Sequence, residues 1–264
     1  MVRGLYTAAS GAIVAQSNVD VIANNLANVN TSGFKRTLMQ VEAAPKTALF
    51  RDQIDPGQIS GNRTGGVDTH AAVGDLGFGS RIYDTPTVFD QGAIQQTGNP
   101  LDVALSGPGF LAVRDAGGTL SYARGGSLTK DAQGALITLA GDKVMGTNGQ
   151  PIVVPAQGNI LIDRTGRLTA NGAPAGQLAV FEFANLTAVR PQGADKFTNS
   201  GAAPKPAANT TVLQGAQEKS NADVITSMVG LIANERWFDA NQKMIQTQDT
   251  EVAAAINSVG KTTA

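Results

Sequence analysis

Residues able to do chemistry are sparse in this chain. It has one histidine, His70, and no cysteine among 264 residues. His70 sits in a glycine-rich stretch, where a lone imidazole is a solvated side chain rather than a general base. One histidine and no thiol cannot assemble the usual zinc sites, and no acidic loop offers alternating calcium ligands. Ser106-Gly107-Pro108-Gly109 does not make a nucleophile elbow, because Ala104 and Pro108 stand where that motif needs glycine. A tight turn between strands accounts for it. GTNGQP (146–151) lacks the lysine of a phosphate loop and opens no helix. Acidic residues are scattered, with no pair spaced for acid–base work. These readings point away from an enzyme and imply neither cofactor nor metal.

Charge is nearly balanced, with 20 basic and 21 acidic side chains, so no cationic face for nucleic acid or anionic lipid is expected. An apolar content of 42% is enough for a folded core. No run of about 18 apolar residues exists, which excludes insertion of a helix into a bilayer. Without disulfides, stability must come from burial or from assembly. MVRGLYTAASGAIVAQ has an early arginine but no unbroken apolar core after it, so no signal peptide is expected. That leaves a cytoplasmic protein, or one exported by a route that does not use such a signal.

The two ends of the chain carry helical patterns. From Leu5 to Asn28, small and apolar residues recur at three- and four-residue steps. The seam they suggest is Leu5, Ala9, Ala12, Val19, Ala23 and Leu26, interrupted by Gln16. Such a helix would reach roughly 35 Å. Its last turn holds Asn24, Asn25, Asn28 and Asn30, residues suited to helix ends and turns. Gly33 then lets the chain turn, and Phe34 anchors the start of an extended strap. At the other end the seam is Val224, Met228, Leu231, Phe238, Ile245, Val252, Ile256 and Val259, a period of 3.5 that favours a supercoiled helix with a partner. Ser220 or Asn221 is the expected N-cap, with Asp223 in the first turn. Gly230 inside this helix suggests close backbone approach.

Between the helices the period is two. LDVALSG (101–107), FLAVRD (110–115), TLSYARG (119–125), ALITLAG (135–141) and QLAVFEF (177–183) are the expected strands. Turn pairs such as Asn148-Gly149 and Asn171-Gly172 separate others. Residues 41–80 and 199–216 fit neither period and suggest extended connectors. The expected fold is α+β: long N- and C-terminal helices paired as a coiled coil, a central antiparallel β domain and an extended strap. The divisions are 1–36 (helix and Asn-rich turn), 37–80 (strap), 81–198 (β domain), 199–218 (linker) and 219–264 (C-terminal helix, pairing with 1–36). A helical pair of this kind can pack on copies of itself, and a head-to-tail contact builds a ring or an open helix.

Three blocks together resemble the axial proteins of the bacterial flagellum, in particular the basal-body rod proteins. MVRGLYTAASG with DVIANNLANVNTSGFKR (20–36) is similar to the family's N-terminal signature. LDVALSGPGFLAVR, continuing into YARGGSLTKDAQGALIT, is similar to the opening of its central β domain. SNADVITSMVGLIANERWFDANQKMIQTQD resembles its C-terminal helix. The resemblance implies a structural subunit that assembles with copies of itself and with other rod and hook proteins. It implies paired terminal helices lining a tube, an outward β domain, and passage through the flagellar type III export apparatus without a cleaved signal. The tube would transmit motor torque to the hook through the periplasm. VMGTNGQPIVVP (144–155) resembles the proximal rod type, the reading taken; DVIANNLANVNTSGFKR is as similar to distal rod proteins, the alternative. From another class, an adhesin or carbohydrate-binding β module on a coiled-coil stalk would need solvent-facing aromatics on the β domain. The one tryptophan, Trp237, falls instead in the C-terminal helix.

Overall fold

A computed structural model of the protein describes residues 2–50, 72–155, 158–193 and 195–260. His70 and most of the glycine-rich stretch lie outside the described residues. The chain divides into two compact units. One comprises residues 1–19, 39–84 and 232–264, and the other residues 20–38 and 85–231. Among the described residues there are two α-helices, α1 (Val2–Ala27) and α2 (Val224–Gly260), and one short 3-10 turn, Leu186–Ala188.

Asp223 caps α2, its Oδ2 accepting from the Thr226 backbone N–H at 2.8 Å and from the Thr226 hydroxyl at 2.7 Å. These bonds hold the Asp223 carboxyl below its ordinary value. The expected cap at Ser220 or Asn221 is therefore shifted. Asn221 instead accepts the Arg36 backbone N–H at 2.8 Å.

In the first unit the two helices run antiparallel. Asn18 donates to Asn234 at 2.8 Å, and a side chain at Gly11 would place its Cβ 2.8 Å from Asn241 Oδ1. A Cβ at Gly4 would overlap the Gln248 amide. Each step of seven along α1 is matched by a step of seven back along α2. Within the second unit the same register sets Ile22 against Gly230.

These contacts overturn the expected coiled coil of apolar seams. The α1 stripe turned inward is Gly4, Ala8, Gly11, Ala15, Asn18, Ile22 and Asn25, one position before each residue of the expected seam, and Val14 beside it is fully buried as well. On α2, Val224, Met228, Val252 and Ile256 are exposed. Leu231, Phe238 and Ile245 are half-buried but alternate with Asn234, Asn241 and Gln248. The closest contacts between the helices pair glycine or amide with amide, at Gly4–Gln248, Gly11–Asn241 and Asn18–Asn234. Glycine permits close backbone approach, and amides bond where water is excluded.

The extended strap is corrected as well. Gln40–Ala43 pairs antiparallel with Ser80–Asp84, and Thr47–Phe50 with Ala72–Leu76. The segment therefore returns along itself as two short ladders. The first rests on α1, where the Ser10 hydroxyl accepts from the Ser80 N–H at 3.3 Å.

The second unit holds the β domain. Its largest sheet has eleven strands, with every pairing antiparallel. The five expected strands are present as Asp102–Ser106, Phe110–Arg114, Leu120–Ala123, Leu136–Thr138 and Val180–Glu182. Separate from it are a three-stranded meander (residues 160–177) and a two-stranded sheet of Ile94–Gln96 with Ala216–Glu218. One side of the core is aliphatic, with Val103, Leu105, Leu111, Val113, Leu136 and Leu168 fully buried. The other is aromatic: Phe110 meets Phe89, Phe183 and Phe197 edge to face at 5.1–5.7 Å.

Candidate assembly surface

The Asn-rich turn is built from local bonds. Asn28 closes the end of α1 through its N–H and its Nδ2, both donating to the Asn24 carbonyl, while Thr31 donates to Asn28 Oδ1. Asn25 is buried and clamps the backbone of Thr37, donating to its carbonyl at 2.8 Å and accepting its N–H at 2.9 Å. Asn24 and Asn30 are exposed. Gly33 has φ of 72°, a left-handed conformation that costs glycine little, and its N–H reaches the Glu218 carbonyl at 2.8 Å. Phe34 is buried directly after it. Asn25 and Asn28 thus satisfy their amides largely within their own chain.

Beneath the turn lies a cluster of charges that no sequence period marked. Lys35, Arg124 and Glu218 are all almost wholly buried. Lys35 Nζ donates to Glu218 Oε1 at 2.5 Å and to the Asp90 carbonyl at 2.7 Å. Arg124 Nε faces Glu218 Oε2 at 3.3 Å, and its other nitrogens donate to the carbonyls of Gly107 and Gly109. The guanidinium also lies over the Phe110 ring, 5.2 Å from its centroid. The Gly92 N–H completes the set at Glu218 Oε1. Burial pulls the Lys35 ammonium below its ordinary value, opposed by its bond to Glu218. Nearby, Asn221 both holds the Arg36 N–H and donates to the carbonyls of Val88 and Asp90, which joins the start of α2 to the same turn.

Asp102 is a second buried hub. It accepts from Thr97, Asn99 and Gln217 at 2.6–2.8 Å. Burial alone would push its carboxyl up, but these hydrogen bonds and one from Ser127 hold it below its ordinary value.

The residues expected to form an assembly interface fall into three groups. Leu5, Ala9, Ala12, Val19 and Leu26 on α1 and Asn28 just after it are half-buried, as are Leu231, Phe238 and Ile245 on α2. Asn25, Gly33 and Phe34 are buried inside the chain. Asn24, Asn30, Val224, Met228, Val252 and Ile256 face solvent. The structure adds a row that the expected seam passed over. Ile225, Val229 and Ile232 recur at helical spacing on α2 and are 73%, 62% and 51% exposed. Trp237 and Met244 continue the exposure along the helix, and Tyr6 and Ile13 stand out from α1. Together the α2 side chains form an exposed apolar patch.

Among the described residues no group of His, Asp and Glu could hold a metal ion, and no helix is long and apolar enough to cross a membrane. Among the described residues the large exposed aromatics are Tyr6, Phe78, Tyr83 and Trp237, and Tyr83, in Ser80–Asp84, falls within the span 81–198 expected for the β domain.

Three protein families match the chain in order. Residues 5–35 match "Flagella basal body rod protein", residues 104–170 "Flagellar hook protein FlgE/F/G D1 domain", and residues 213–258 "Flagellar basal body rod FlgEFG protein C-terminal". The flagellar basal-body rod protein FlgG of Borreliella burgdorferi is 33% identical over 277 residues, covering 97% of this chain and 98% of that protein. The proteins of the same name from Agrobacterium fabrum (32% over 274 residues) and Bacillus subtilis (30% over 275) cover 97% of this chain and 98% and 99% of their own lengths. Matches at both helices and in the β domain, together with relatives aligned almost end to end, place the whole architecture in one group: the chain belongs to the flagellar basal-body rod protein family.

Proposed function

We propose that the protein is a structural subunit of the bacterial flagellar rod, joining copies of itself and neighbouring rod and hook proteins into a helical tube that carries torque. It acts by assembly and not by catalysis. The observation that carries this reading is the apolar row Ile225, Val229 and Ile232, left uncovered on a helix of a family named for the basal-body rod. The half-buried residues Leu5, Ala9, Ala12, Val19, Leu231, Phe238 and Ile245, with exposed Asn24 and Asn30, contribute to the same contacts. Export through the flagellar type III apparatus and residence in the periplasmic part of the basal body belong to this proposal.

The test is complementation of a strain lacking the native gene. Ile225→Asp with Val229→Asp should leave the purified chain folded, since both side chains already face water, yet abolish rod assembly and swimming. Normal motility of the double variant would overturn the assembly role of this row. Antibody labelling of purified basal bodies gives the position along the rod, proximal or distal. Labelling confined to the outer cell surface would overturn the rod reading itself.

A further inference from the structure

We propose that Glu218 is a latch: its single carboxylate, shared between Lys35 and Arg124, fastens the turn after α1 to the β domain, and loss of that charge frees the turn while the β core stays folded. Three observations carry this. The first is connectivity. Lys35 Nζ, the Gly92 N–H and Arg124 Nε, far apart in sequence, converge on one carboxylate, and the carbonyls of Asp90, Gly107 and Gly109 hold the two cations from behind. The Glu218 backbone takes part too, accepting the Gly33 N–H. The second is independence from the core. Glu218 lies in the two-stranded sheet with Ile94–Gln96, outside the eleven-stranded sheet, and Phe34 belongs to neither buried cluster of the β domain. Arg124 sits between Leu120–Ala123 and Gly125–Lys130 of that sheet, but the carbonyls of Gly107 and Gly109 and the Phe110 ring still hold it, so release of the turn leaves the sheet's own hydrogen bonds in place.

The third is charge. Two cations share one anion in a dry site, so the three groups are not equivalent. Removing Lys35 leaves a neutral Arg124–Glu218 pair. Removing the charge of Glu218 leaves two buried cations held by carbonyl oxygens and the Phe110 ring, with no anion between them, the costlier outcome. The same reasoning makes Lys35→Met a partial remedy for Glu218→Gln, because it takes away one of the stranded cations.

Hydrogen exchange on the full-length purified chain separates this from an ordinary core role. In Glu218→Gln, amides at 33–37 and 216–221 should exchange about a hundredfold faster, with 102–106 and 110–114 unchanged. Lys35→Met should open the turn about tenfold or less, and the double variant should fall between the two single ones. Equal acceleration in strands 102–106 and 110–114, no acceleration at 33–37, or a Lys35→Met effect as large as that of Glu218→Gln would each overturn the latch. Should Glu218→Gln fail to fold, Lys35→Met decides: exchange confined to the turn supports the latch, and spread into the core refutes it. The readout is on the isolated chain, so it stands or falls separately from rod assembly.

Discussion

Leu111 in the β domain and Ile225 in α2 are both large aliphatic side chains, yet the first is fully buried and the second 73% exposed. The β domain closes its own surface, with aliphatic residues on one side and edge-to-face aromatics on the other. The helices set glycine and amides against each other at their closest contacts and bury Ala8, Val14 and Ala15, but leave Ile225, Val229, Ile232 and Ile256 in water. A chain that buries apolar surface in one region and displays it in another is finished in the first and incomplete in the second. The contrast predicts self-sufficient stability for the β domain and stability of the helices that depends on assembly.

The sharpest way to break this contrast is in the core. Leu111→Ala should lower unfolding free energy by about 2–5 kcal/mol in denaturant titration, since it opens a cavity among fully buried neighbours. A loss near zero would mean that the β domain is no better packed than the helices. Asp102→Ala comes next, at about 1–3 kcal/mol, because it strands the donors of Thr97, Asn99 and Gln217. The depressed Asp102 carboxyl adds a pH dependence. Its stabilisation is complete above the ordinary carboxylate value of 3.8 and is lost as pH falls through its lower folded value. Melts of the native chain should therefore drop more steeply than those of Asp102→Asn as acid is added below that value.

On the helices the effects shrink. Asn18→Ala removes one amide bond to Asn234 and should cost about 1 kcal/mol, seen as faster exchange along α1. Smallest of all, Ile225→Ser or Val229→Ser should change monomer stability by about 0.5 kcal/mol or less. A cost as large as that of Leu111→Ala would show these side chains to be covered within the monomer, and the contrast would fail.

The five strands between 101 and 183 were legible because alternation reports a buried sheet face directly. The helices were legible as helices but not in their facing. A search for aliphatic bulk selects Leu5, Ala9, Ala12 and Val19, whereas the packed stripe one residue earlier is chosen for smallness and amide pairing. One residue is about 100° of helix, enough to exchange one face for another. Tertiary competition displaced the cap: Asn221 is drawn to Arg36, Val88 and Asp90, leaving Asp223 to close α2. Lys35, Arg124 and Glu218 gave no signal, because each is a lone charge in sequence and folding alone brings them together. The row at Ile225, Val229 and Ile232 could have been found by asking which apolar residues the proposed seam left over.

The amide ladder between α1 and α2 has a further consequence. A slip of seven residues would set Gly4 against Asn241, Gly11 against Asn234 and Asn18 against Ser227, again small or polar against small or polar. A slip of three one way or four the other would instead set Gly11 against Phe238 or Ile245. The ladder thus fixes the phase of one helix against the other but cannot count its own rungs. The count must come from where each helix is pinned: Asn25 to Thr37 at the end of α1, and Asn221 to Arg36 just before α2.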